Sequence, residues 1–341
     1  MQRLSALSLC LRGFPGANRA LVNLNRLADL GRHITLASPD PHGAEARFVA
    51  ELCRERQPRL VVFGGWSPLY AGLVEALRAE PIRFAVLWTS SPGQTDLSRE
   101  GDKLDAILAE QRIETLLFTS PSFAESLAGK RAGIHYLPLA LHLDSSIGET
   151  PSKAQGLNGP FEITLFCAAP EYARKNVLNC LLALAGLRGA YRLVVNGLSR
   201  DPHYGALLER LEIPWQDWGW MERSDYDAAV AQAQVGLQVS FAESYCYVAA
   251  EHLLAGVPML ASPMVPALAM LSPPLRERLI VSSPESVGEI REKLQFLLDR
   301  PTLCAELGRR ARAEFLTANA RDAERARRAI AALVAGSEVR G

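Results

Sequence analysis

The chain has 341 residues, more than one domain usually holds. With 48% hydrophobic and 22% charged residues it has the composition of a soluble globular protein able to bury two cores. Its 37 basic and 37 acidic side chains cancel, so it lacks the basic excess that a broad nucleic-acid-binding surface leaves. No uninterrupted run of about 18 apolar residues would span a membrane. The six cysteines, Cys10, Cys53, Cys167, Cys180, Cys246 and Cys304, form no C-x-x-C pair and no metal-ligand spacing. Most lie in apolar runs and are expected to be buried, reduced thiols. The N-terminal MQRLSALSLCLRGFPG has the arginine and apolar run of a signal peptide but no small-residue cleavage site. It is expected to be the first core strand of a cytoplasmic protein.

In chain order, short apolar runs alternate with helical periodicity, the pattern of α/β architecture with parallel sheets. The runs at Ser5–Leu11, Ile34–Ala37, Leu60–Phe63, Phe84–Trp88, Leu116–Thr119 and His135–Leu139 predict strands. Helices are predicted at Ala17–Leu30, where Leu21, Leu24, Leu27 and Ala28 form one stripe, and at Ala44–Arg56. DSSIGETPSKAQGLNGP, from Asp144 to Pro160, is rich in Ser, Gly and Pro and reads as a linker. Strands are then predicted at Ile163–Cys167, Arg192–Asn196, Val235–Val239, Met259–Ala261 and Leu279–Val281. The helices among them include Asn176–Leu187 and Tyr226–Gln234, and the chain from Pro301 onward is expected to be almost wholly helical. The reading is two Rossmann-like domains, 1–145 and 161–315, joined by a linker at 146–160. A final helix over 316–341 is expected to cross back to the first domain. Two such halves imply a ligand cleft.

The stretch QVSFAESYCYVAAEHLLAGVPMLAS runs off a predicted strand, turns through Ser240–Tyr245 and enters a helix near Cys246 that Gly256 and Pro258 stop. The N-terminus of that helix offers free N–H groups and a positive dipole end to a phosphate. Glu243 and Glu251 are eight residues apart, roughly 10–12 Å along the axis if most of the interval is helical. Carboxylates suit vicinal hydroxyls rather than phosphates. A ligand with a sugar at Glu243, a diphosphate over the helix start and a ribose at Glu251 fits the spacing. Upstream, FEITLFCAAPEYARKNVLNCLLAL reads as strand, loop and helix, with Arg174 and Lys175 at the helix start. Cations there oppose the helix dipole, a conflict that a nearby anion would resolve.

These residues resemble the E-x7-E signature of retaining GT-B glycosyltransferases, most similar to glycosyltransferase family 4. Ser240, Glu243, Ser244, the aromatic Tyr245, Glu251, Ala255, Gly256 and Pro258 follow its order. Lys175 matches the basic-loop lysine that, in that family, neutralises the leaving diphosphate. Only five of the 37 basic residues are lysines. The chain departs from the pattern at Cys246, where the family has glycine, at His252, where it has alanine, and at Pro170, where it has an arginine that Arg174 is expected to replace. The resemblance implies a GT-B fold, two Rossmann-like domains facing across a cleft. It also implies transfer of a hexose-type sugar from a nucleoside-diphosphate sugar to a hydroxyl acceptor, with retained configuration.

On this reading Lys175, Arg174 and Glu243 are the catalytic residues. Glu251, Ser244, Tyr245, Cys246, Gly16 and Gly219 hold the donor. Gly16 belongs to RGFPGANRALVNLNRLADLGRHITL, which resembles the glycine loop of these enzymes, although Gly13 and Gly16 do not form G-x-G-x-x-G. Gly219 lies in the expected nucleobase region, Trp218–Met221. No histidine follows the fourth strand, where Thr89 and Ser90 stand in the position at which relatives carry one. Asp225–Tyr226–Asp227 is a D-x-D triplet at a helix start, read as structural capping. No metal or other cofactor is expected, since the nucleotide sugar is a substrate. The acceptor class stays open among glycan, lipid-linked, small-molecule and modified nucleic-acid acceptors, and peripheral membrane contact stays open too. The alternatives are a nucleotide-sugar-binding partner without activity and a GT-B-fold nucleotide-sugar epimerase.

Overall fold

The computed structural model describes residues 5–28, 31–97, 99–143, 159–167 and 171–337. The linker expected over 146–160 lies outside them except for its last two residues, and so does Pro170. The chain divides into two compact units, the first drawn from residues up to 142 and from 319 on, the second from 143 to 318.

The first unit contains β1 (Ala6–Leu11), β2 (Gly31–Leu36), β3 (Leu60–Gly64), β4 (Arg83–Trp88), β5 (Ile113–Phe118) and β6 (Ile134–Tyr136), all parallel in the order β2-β1-β3-β4-β5-β6. Parallel neighbours need crossover connections, here mostly helices, which cover the faces. Every residue of β1 and β3 is accordingly buried. Phe63 stacks on Tyr70 at 4.6 Å and on Phe84 at 5.9 Å in the middle of the core. The helix Pro15–Ala28 buries Leu21 and Leu24, and Ala44–Arg56 is helical as the periodicity predicts.

The second unit contains β7 (Phe161–Leu165), β8 (Tyr191–Val195), β9 (Trp215–Asp217), β10 (Val235–Gln238) and β11 (Met259–Ala261), parallel in the order β11-β10-β7-β8-β9. From β7 the chain winds outward to β8 and β9, then returns to place β10 on the other side of β7. The order therefore reverses between β7 and β10, and the crevice at their carboxyl ends is where open α/β sheets bind ligands.

One predicted strand is absent. Leu279–Val281 does not form a strand, because Leu275 and Leu279, four residues apart, are the buried stripe of the helix Pro273–Leu279. Only Ile280 bridges to Ala261. The end of the chain is one helix, Pro301–Ala335, whose residues are divided between the two units. In the first unit, the Asn319 amide clasps the backbone N–H and carbonyl of Leu141 at 2.8 and 3.0 Å.

In the second unit the same helix lies hard against the loop that leads into β11. A β-carbon on Gly308 would fall on the Gly256 carbonyl oxygen and within 2.8 Å of Pro258 Cδ. Backbone cannot yield as a flexible side chain does. Gly308→Ala should therefore lower stability by about 1–3 kcal/mol in urea unfolding, and a change under 0.5 kcal/mol would show that this approach is not tight.

Candidate functional site at the carboxyl edge of the second sheet

Two loops meet where the strand order reverses. The loop after β7 folds into a turn in which Lys175 N–H donates to the Glu171 carbonyl at 2.8 Å and Asn176 N–H to the Ala173 carbonyl at 3.0 Å. The loop after β10 is fastened to it. Phe241 N–H donates to the Arg174 carbonyl at 2.9 Å, and the Asn176 amide donates to the Val239 carbonyl at 3.0 Å. Ser262, after β11, donates its hydroxyl to the Ser240 carbonyl at 2.6 Å.

Between these loops lies the Glu243 carboxylate, its side chain only 4% exposed. Lys175 Nζ donates to it at 2.5 Å, Arg174 at 3.2 Å and the Ser240 hydroxyl at 2.7 Å. The Gln238 amide in turn donates to Ser240 Oγ at 2.9 Å. Burial alone would push the Glu243 carboxyl up, but Lys175 and Arg174 outweigh it and hold the group below its ordinary range. Burial likewise pulls the Lys175 ammonium down, and the ionised Glu243 carboxylate bonded to it more than reverses that. The pair is thus ionised on both sides, as a buried charge requires. Arg174 also bonds Glu171 and gives a second N–H to the Ala242 carbonyl at 2.5 Å, so it clamps the two loops together. The anion that the two cations at the helix start called for is the protein's own Glu243.

The helix carrying Glu251 is Tyr247–Leu254, eight residues long. Glu243 lies in the loop before it, so the interval between the glutamates is only half helical and the 10–12 Å axial spacing does not follow. Glu251 is buried and receives Arg223 Nη1 at 2.5 Å and the Tyr226 hydroxyl at 2.8 Å. Neither Asp225 nor Asp227 caps the helix Arg223–Gln232, because its N-cap is Glu222. Asp227 instead holds Arg223 at 2.9 and 2.7 Å.

Cys246 explains its own departure from the glycine pattern. It stands at φ 66°, ψ 76°, in the left-handed region that glycine enters freely, and is buried at the start of the helix. Asn176 takes the same conformation, φ 57° and ψ 37°, at the start of the helix Val177–Leu184 after β7. Burial pushes the Cys246 thiol up to about 12. His252 has a packing partner for its substitution: a β-carbon on Gly236 would come within 2.7 Å of the imidazole. The ring is wholly buried, with Nδ1 2.7 Å from the Val248 carbonyl and Nε2 2.7 Å from Thr164 Oγ1. A carbonyl only accepts, so Nδ1 carries the proton and Nε2 accepts from threonine.

Ser244 is half-buried, and the buried Tyr245 meets the Tyr247 ring edge-on at 5.2 Å. Gly219 lies in a turn after β9 at φ 65°, donating to Asp217 at 2.7 Å. Asp217 also accepts from Gly197 N–H at 2.6 Å and from the N–H and hydroxyl of Ser199, tying the ends of β8 and β9 together. Trp220 beside it is 81% exposed. Gly16 belongs to the first unit, and open space surrounds a β-carbon there. Close approach does demand glycine at Gly64 in that unit, where a β-carbon would lie 2.8 Å from Cys10 Sγ and 2.9 Å from Leu21. Sequence reasoning passed over Gly64, Asn176, Gln238 and Arg223, and none carries a local motif that would single it out. Among the described residues no group of three or more His, Cys, Asp or Glu is placed to hold a metal ion. Nor is any helix among them long and apolar enough to cross a membrane.

No family model matches the sequence, and no curated protein does. Solved structures do match over nearly the whole chain. Sucrose-phosphate synthase from Thermosynechococcus elongatus superposes with a TM-score of 0.75 at 16% identity, covering 99% of this chain and 100% of that one. Anabaena HepE, solved with UDP and glucose, gives 0.73 at 14% identity, covering 97% and 99%. WaaG, a glycosyltransferase involved in lipopolysaccharide biosynthesis, gives 0.64 at 15% identity, covering 93% and 98%. With two parallel Rossmann-like sheets and these neighbours, the chain has the GT-B fold.

Two substitutions test the local physics. Cys246→Gly should change stability by no more than about 1 kcal/mol, whereas Cys246→Val, β-branched at positive φ, should cost at least about 2 kcal/mol. Equal effects of the two would show that the left-handed geometry is not what constrains the position. Burial lowers the His252 imidazole to about 4. The unfolded chain therefore takes up that proton first as pH falls below about 6.5, and stability drops between about 6.5 and about 4. Comparing urea unfolding across that window, His252→Gln should remove a loss on the order of 3 kcal/mol. An unchanged acid limb would mean that the imidazole takes up its proton equally in the folded and unfolded protein.

Proposed function

We propose that the protein is a retaining glycosyltransferase that moves a hexose-type sugar from a nucleoside-diphosphate sugar to a hydroxyl acceptor. The observation that carries this reading is the Lys175–Glu243–Arg174 cluster at the reversal of strand order, with Glu251 eight residues on in the following helix. The fold supports it, as does the UDP-glucose bound by Anabaena HepE, a structural neighbour. Glu243 accepts hydrogen bonds from the sugar, Glu251 takes the ribose, and the diphosphate sits over the start of the helix Tyr247–Leu254. Ser244, Tyr245 and the backbone at Cys246 line its path.

In the reaction the bond from the anomeric carbon to the diphosphate oxygen breaks, and its electron pair leaves with the diphosphate. Lys175, with the N–H groups of the helix start, stabilises that charge, a contribution that is often the largest in such sites. Arg174 keeps Lys175 and Glu243 in register. The acceptor oxygen bonds to the anomeric carbon on the same face, and its proton passes to the departing diphosphate. No side chain serves as a covalent nucleophile and no metal takes part. The first unit holds the acceptor.

Incubation with UDP-, GDP-, ADP- and TDP-sugars should give release of one nucleoside diphosphate and a product whose anomeric configuration, read by NMR, matches the donor. Lys175→Ala and Glu243→Gln should each lower kcat by about 100-fold or more. Turnover that survives both substitutions would place the chemistry elsewhere, and an inverted product would reject the retaining assignment.

A further inference from the structure

We infer that Arg223, backed by Asp227 and Tyr226, is a positioning residue that fixes the Glu251 carboxylate for the donor's ribose and so sets the preference for ribo- over 2′-deoxyribonucleotides. This inference rests on the donor reading of Glu251. Glu251 projects from the helix Tyr247–Leu254, and its side chain is 5% exposed. The groups that orient it come from a different element, the first turn of the helix Arg223–Gln232, which follows β9. Arg223 Nη1 takes Oε1 at 2.5 Å and the Tyr226 hydroxyl takes Oε2 at 2.8 Å, so both oxygens are gripped and the carboxylate plane is fixed.

Arg223 is itself held from behind. Asp227, one helical turn on, receives its Nε at 2.9 Å and its Nη2 at 2.7 Å in a forked pair, leaving Nη1 aimed at Glu251. The guanidinium also lies 5.4 Å from the Tyr226 ring centroid, and that ring packs at 5.4 Å from Phe166, just past the end of β7. The D-x-D triplet at 225–227 thus serves in place of a helix cap: Tyr226 and Asp227 flank an arginine that reaches Glu251.

A fixed carboxylate beside a cation rewards a ligand whose hydroxyls meet it at set positions. It penalises a ligand that lacks one, because buried polar groups are then left poorly paired. A carboxylate free to rotate adapts to either. Charge neutralisation alone would predict no such discrimination, so the ribo-to-deoxyribo ratio separates positioning from a merely structural ion pair.

The test is calorimetric titration of the full chain with ADP, GDP and UDP and with their 2′-deoxy counterparts. For the base bound most tightly, the wild type should favour the ribonucleotide by about tenfold or more. Arg223→Gln and Tyr226→Phe should each shrink that ratio to about threefold or less, and Arg223→Lys should restore part of it. In turnover, Arg223→Gln should raise donor KM with kcat little changed. Thermal unfolding of each variant separates misfolding from loss of grip, and Tyr226→Phe keeps the ring packing if Arg223→Gln proves unstable. If Glu251→Ala collapses the ratio while Arg223→Gln and Tyr226→Phe preserve it, the positioning role is wrong and the ribose assignment stands. If Glu251→Ala also leaves the ratio intact, or no nucleotide binds, the donor reading falls and this inference with it.

Discussion

The burial of one carboxylate organises the second unit. Glu243 is almost wholly removed from water, and a charge in that position is stable only with cations and hydrogen-bond donors around it. Lys175, Arg174 and Ser240 supply them, and each comes from a loop at the carboxyl end of β7 or β10. The ion cluster therefore also dictates how the two loops lie. Arg174 grips the Ala242 carbonyl, Asn176 grips the Val239 carbonyl, and the helix starts on either side are fixed as a result. Removing one partner of such a group costs more than the pair contributes, because an uncompensated charge stays behind.

Backbone conformation follows from the same arrangement. Asn176 and Cys246 both adopt left-handed geometry, each immediately before the helix that follows one of the two strands at the reversal. Non-glycine residues carry such geometry at a cost, and it persists where surrounding bonds over-determine it. The paired amide of Asn176 and the burial of Cys246 are those constraints here. A thiol where a glycine is expected thus keeps the backbone path while filling space beside Lys175. His252, the other departure, is accommodated by Gly236 on the neighbouring strand and by the Thr164 hydroxyl, so a polar ring sits in the core with both nitrogens matched.

Most of the architecture was legible in the sequence because periodicity reports burial. The fully buried runs at Ala6–Leu11 and Leu60–Gly64 are strands, and the three- and four-residue stripe of Leu21, Leu24, Leu27 and Ala28 lies on the helix Pro15–Ala28. Leu279–Val281 misled for the same reason: three apolar residues in a row fit a strand, but the spacing of Leu275 and Leu279 fits a helix, and Pro273 starts one. At the site, sequence order brought Lys175, Arg174 and Glu243 into one hypothesis, and the structure puts their charged groups in contact. It did not disclose that Glu243 is their counter-ion. Nor did it disclose Arg223, which reaches Glu251 across 28 residues from another helix. Contacts of that kind depend on strand order and helix packing, which local patterns do not encode.

Hydrogen exchange on the full chain, with and without a saturating nucleoside diphosphate, tests the donor site most directly. If the reading is right, the ligand slows exchange in the segments from 171 to 177 and from 241 to 251, where loops and helix start converge on Lys175 and Glu243. Exchange there that is unchanged by a bound nucleotide, with protection confined to residues before 142, would contradict the account.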